Sequence, residues 1–123
     1  MFEKEEIPDN DNLYYRIHNS YIREGELTPG VFKEKGGGMS TDWSKYSTAE
    51  QSLNRAPNPK DNGIVKFEVG SVRKTKLTVE HSPIPENQSH TDVIGIPPKG
   101  EFKISMRAKL KHICIWEIKN NII

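Results

Sequence analysis

Apolar residues recur at every second position in some stretches of this chain and at every fourth in another, and this contrast outlines its elements. In Leu13-Tyr14-Tyr15-Arg16-Ile17-His18, alternation sets Leu13, Tyr15 and Ile17 on one face and Tyr14, Arg16 and His18 on the other. The run 64–69 alternates likewise, with Val65, Phe67 and Val69 facing one way, and 77–81 turns Leu77 and Val79 inward. Shorter strands are expected at 39–43 and about 90–96, and a strongly apolar closing strand at 113–118. Residues 101–111 follow the other period. Phe102, Met106 and Leu110 predict the buried face of the main helix, with Lys103, Arg107 and Lys111 a quarter-turn away.

Turn residues separate these runs. Residues 19–38 hold Pro29 and five glycines and read mostly as loop, with one helical turn after Thr28-Pro29. Ser47-Thr48-Ala49-Glu50 fits a capping box with Ser47 as cap and opens a short helix over about 48–54. Gly70-Ser71 is expected to cap a brief turn through Lys74, and Ser82–Asn87 is a rigid turn carrying two prolines. Strands in runs rather than in strict alternation with helices predict an α+β domain over 13–123. Its sheet is expected to be mixed but mostly antiparallel, and residues 1–12 form a polar leader.

The chain has 123 residues, the size of one domain at about 100–150 residues. Eighteen basic and seventeen acidic residues leave a charge of +1, without the basic excess of a general nucleic-acid binder. The single Cys114, between two isoleucines, reads as a small buried hydrophobe in a strand. One cysteine excludes an intrachain disulfide and a thiolate zinc site of the usual kind. No secretory h-region is visible, and no apolar run approaches the roughly 20 residues that span a bilayer. A cytoplasmic, soluble protein with no membrane partner is expected.

Candidate chemistry is scattered. His18, His81, His90 and His112 show no metal-ligand spacing, and no metal site is expected. His81 and His90 flank a hairpin-like stretch that could bring them together. Gly36-Gly37-Gly38-Met39-Ser40-Thr41-Asp42 would let backbone approach a ligand and offers hydroxyls to phosphate or ribose, though it lacks the Lys-Ser/Thr of a P-loop. Trp43 could stack on a base. The stripe Lys103, Arg107, Lys111 is the candidate contact for nucleic-acid phosphates, with a solvated helix face as the plainer reading. Neighbours in a strand point to opposite faces, so Ser89-His90 makes no nucleophile–base pair, and no catalytic triad is apparent.

Three segments, 13–18, 38–43 and 87–95, resemble the spaced signatures of a group of small uncharacterised bacterial proteins, a likeness that implies no function. The chain also resembles ADP-ribosyltransferase-like folds, including RES-domain NAD-degrading toxins, in an early strand with arginine after an aromatic, then a hydroxyl-bearing segment after glycines, then an acidic residue. The matching positions are Arg16, Ser40-Thr41 and Glu50. No Gly-Arg-Trp-Asn segment follows, and Glu50 falls where a helix cap is expected. The resemblance implies NAD or another nucleotide as the ligand.

Three functions follow in order. The first is a binding or interaction domain without catalysis. The second is a nucleotide- or NAD-handling enzyme with ligand contacts from Tyr14, Arg16, Ser40, Thr41, Trp43 and His90, and catalytic candidates Arg16, His18, His90 and Glu50. There Arg16 would hold a phosphate and His18 or His90 would shuttle a proton. The third is nucleic-acid binding through the basic helix face. The partner is expected to be a small nucleotide or a protein.

Overall fold

Six strands join in the order β6-β7-β4-β1-β5-β8, and every pairing is antiparallel. They are β1 (Asn12–His18), β4 (Met39–Trp43), β5 (Asn62–Glu68), β6 (Thr78–His81), β7 (His90–Ile94) and β8 (Ile115–Ile118). A separate ribbon pairs β2 (Ile22–Arg23) with β3 (Glu26–Leu27). Helices α1 (Ala49–Asn54), α2 (Val69–Lys74) and α3 (Gly100–Ile113) complete an α+β fold. This computed structural model describes all residues, Met1–Ile123. No helix is long and apolar enough to cross a membrane.

The alternation of β1 is realised as read. Leu13 and Ile17 are fully buried on one face, where Met39, Trp43, Val65, Phe67 and Val93 join them from neighbouring strands. Val69 and Val72 of α2 and Leu110 of α3 cover this face. Each such aliphatic side chain contributes about 1.5–3 kcal/mol by leaving water. Tyr15 packs against Phe32 and donates its hydroxyl to the Val31 carbonyl, and burial pushes its phenol up to about 12. The opposite face keeps Tyr14 and Arg16, and α1 lies against β1 and β5. Ile64 and Ala56, buried outside the main cluster, are the chief apolar residues there.

Several boundaries differ from the sequence reading. Val69 leaves the strand and begins α2. The capping box of α1 uses Thr48, whose hydroxyl accepts from Gln51 N at 3.1 Å, while Gln51 Oε1 accepts from Thr48 N at 2.9 Å. Ser47 and Glu50 therefore do not form it. The core contacts of α3 come from Met106, Leu110 and Ile113, whereas Phe102 stays 80% exposed. Contact with the core thus begins one turn later than the four-residue repeat suggests. Ile113 ends α3, Cys114 caps it half-buried, and Ile115 is exposed at the start of β8. Burial raises the Cys114 thiol pKa.

The polar leader is tied down. Ile7 enters the core, and Arg73 Nη1 donates to the Ile7 carbonyl at 2.7 Å and to Asp9 at 2.6 Å. Glu5 N donates to His81 Nδ1 at 3.0 Å.

Candidate functional site

A cavity of about 540 Å³ opens over β1, β4 and β7, on the sheet face away from the main core. Register and the period of two build its floor. Tyr14 pairs with Asp42, and Asp42 with His90, so these three form one row across three strands. Two residues along, Arg16 and Ser40 project to the same side. Arg55, just after α1, and Ile84, Glu86 and Asn87, from the turn before β7, also line it, and Tyr15 and Thr41 border it.

Asp42 is the hub. Only 5% of its side chain is exposed, yet it is surrounded by donors. Its Oδ2 accepts from the Ser52 hydroxyl and, at 3.2 Å, from Arg55 Nη1, with Arg16 Nη1 at 3.7 Å. Its Oδ1 accepts from Asn87 Nδ2 at 2.8 Å and Ser89 Oγ at 3.1 Å. Burial pushes the carboxyl pKa up, but the hydrogen bonds from Ser52 and Asn87 and the charges of Arg55 and Arg16 outweigh it, so the pKa ends below the ordinary value. Asp42 is thus an ionised anchor, with both oxygens engaged.

The arginines are held at one end only. Arg16 Nη1 donates to the Ser52 carbonyl at 3.0 Å, and Arg55 Nη1 donates to Ser47 Oγ at 2.9 Å as well as to Asp42. The short helix α1 positions both, since Ser52 lies on it and Arg55 ends it. Their side chains remain 37% and 31% exposed. Neither guanidinium donates a hydrogen bond to the protein from Nε or Nη2. Two arginines against Asp42 leave one net positive charge on the floor, with the exposed Glu86 beside it.

His90 is fixed from behind. Its Nδ1 lies 2.9 Å from the Ser82 carbonyl and 3.1 Å from Ser82 Oγ, and its Nε2 lies 3.3 Å from Ser40 Oγ. Ser82 Oγ donates to Asp92 Oδ2 at 2.8 Å.

The structure brings together Tyr14, Arg16, Ser40, Thr41 and His90 from the sequence-derived set. The strands bearing Arg16 and His90 are not neighbours, because β4 runs between them. Thr41 borders the cavity, but its hydroxyl donates to the Thr91 carbonyl at 2.9 Å. Trp43 does not join the site. Alternation places it with Met39 on the core face, 1% exposed, its indole N–H donating to Asp11 at 2.9 Å. His18 is exposed at the end of β1, where its Nδ1 accepts from Ser20 N at 3.0 Å. Glu50 lines an adjoining hollow with Ser44, Ser47 and Glu117. His81 and His90 occupy paired strands but opposite faces, so they do not meet.

The glycine run forms the turn into β4, with Lys35 N donating to the Gly38 carbonyl, and does not line the cavity. Gly38 is required for another reason: a Cβ there would lie 2.8 Å from that of Asp92. The basic stripe is partly engaged elsewhere. Arg107 Nε donates to the Phe32 carbonyl at 2.8 Å, and Lys111 lies 3.9 Å from Glu26.

Asp42, Arg55 and Asn87 were absent from the sequence-derived set. For Asp42 the signal was present, since it sits two residues from Ser40. Arg55 reaches the site only through tertiary packing of α1. Comparison with protein-family models, curated proteins and solved structures finds no match to this chain.

Proposed function

We propose that this protein is a binding domain for a small anionic ligand of the nucleotide class, NAD included. The phosphate would lie on Arg16 and Arg55, and the ring against Tyr14 and Ile84. The observation that supports this most is the convergence of Tyr14, Arg16, Arg55, Ser40 and His90 on one cavity, although they come from distant segments. Loop packing alone gives no reason to leave Nε and Nη2 of two arginines without protein acceptors beside a buried carboxylate. A volume of about 540 Å³ falls within the ~300–1,000 Å³ of small-molecule sites.

Calorimetric titration with AMP, ADP and NAD tests the reading. A hydrogen bond to a charged group contributes about 1.5–3 kcal/mol, so Arg16→Ala and Arg55→Ala should each weaken binding about 10- to 100-fold. Thermal melts of the same samples monitor folding. Wild-type affinity in both variants, or no binding of any of the three probes to the unaltered protein, would remove the proposal.

A further inference from the structure

The hydrogen-bond geometry around His90 determines which of its nitrogens carries the proton. The Ser82 carbonyl can only accept. Ser82 Oγ donates its hydrogen to Asp92, so it too can only accept from the ring. Both neighbours of Nδ1 are therefore acceptors, and Nδ1 carries the hydrogen. This leaves the Nε2 lone pair facing Ser40 Oγ at 3.3 Å, with Ser40 as the donor. Asp92 Oδ1 lies 3.9 Å from Nε2. A serine hydroxyl directed at an imidazole nitrogen, with the other ring nitrogen held by acceptors, is the arrangement that activates a nucleophile.

We infer that Ser40 is a nucleophile and His90 its general base, and that the cavity hydrolyses an ester whose acid portion carries a negative charge. The inference rests on the anion reading only in seating that charge on Arg16 and Arg55. Ser40 Oγ attacks the acyl carbon while its proton passes to His90 Nε2. The tetrahedral intermediate collapses, the ester C–O bond breaks, and the departing alkoxide takes the proton from Nε2. Water then repeats the attack on the acyl-serine. His90 removes the water proton and returns it to Ser40 Oγ, releasing the acid. This pair was invisible in the sequence because its members lie 50 residues apart and meet diagonally across β4 and β7: Ser40 pairs with Asp92, and Asp42 with His90.

The test has two parts. A fluorophosphonate should label the intact protein once, at Ser40, as read by peptide mass spectrometry. Labelling should vanish in Ser40→Ala and slow about 100-fold or more in His90→Ala. Hydrolysis of mono-4-nitrophenyl succinate should fall likewise in both variants. No label at Ser40, equal labelling in His90→Ala, or unchanged hydrolysis in Ser40→Ala overturns the inference. Arg16→Ala should lower hydrolysis of the succinate more than hydrolysis of neutral 4-nitrophenyl acetate, and an unchanged ratio of the two would overturn the seating of the charge on Arg16. Loss of nucleotide binding and loss of labelling are thus read separately, and either reading can fail without the other.

Discussion

The two faces of this sheet use the same residue types in opposite ways, and His81 and His90 show how. Both lie on paired strands at the edge of the sheet. His81 points into the core face, 2% exposed, stacked among Trp43 and Tyr46. Its Nδ1 accepts from Glu5 N and its Nε2 lies 2.8 Å from the Gln88 carbonyl, so both nitrogens bind backbone. His90 has one nitrogen held and one facing an exposed serine. On the core face both nitrogens of His81 are taken up by backbone, while on the cavity face His90 Nε2 meets only the hydroxyl of the exposed Ser40. What sets the cavity face apart is the unused capacity of some of its side chains rather than their type.

The strongest way to break this contrast is to treat Trp43 as a ligand contact. Burial and the indole bond to Asp11 make it structural, so Trp43→Ala should cost about 3–5 kcal/mol. Leu110→Ala should cost about 2–5 kcal/mol for the same reason. Urea unfolding gives both values. A stable Trp43→Ala protein with weakened nucleotide binding would mean that the faces have been assigned the wrong way round.

Period-two alternation made one face of β1 legible, and with it Tyr14 and Arg16. The same rule applied to 39–43 places Ser40 with Asp42 and Trp43 with Thr41, so the position of Trp43 could have been read. His18 obeys the alternation but lies at the strand end, beyond the cavity, and alternation carries no information on where a cavity stops. Arg55 and Asn87 depend on where α1 and the turn before β7 settle, which is a tertiary matter. The diagonal meeting of Ser40 with His90 depends on strand order, which no local pattern encodes.

A smaller effect separates Asp42 from an ordinary cleft carboxylate. Because its folded pKa lies below the unfolded value, the unfolded chain binds more protons near and below that value. The stabilisation is complete above about pH 4, the unfolded range, and fades as pH falls through the folded pKa. Asp42→Asn keeps the shape but removes the charge, and should cost about 1–3 kcal/mol at pH 7. The gap between variant and wild type should close as pH drops below about 4, followed by chemical denaturation at a series of pH values. A gap constant from pH 7 to 2 would show that the charge of Asp42 is not what holds the arginines.

The smallest effect tests the boundary of the core rather than its centre. Phe102, Met106 and Leu110 form one stripe, and by helical period alone they should be equally buried. The structure instead leaves Phe102 80% exposed and Leu110 fully covered. An exposed ring has little apolar contact to lose, and alanine favours helix slightly more than phenylalanine. Phe102→Ala should therefore change stability by no more than about 0.5 kcal/mol, against the 2–5 kcal/mol expected of Leu110→Ala. Equal losses at the two positions would mean that the first turn of α3 rests on the core after all, with the stripe as continuous as its spacing.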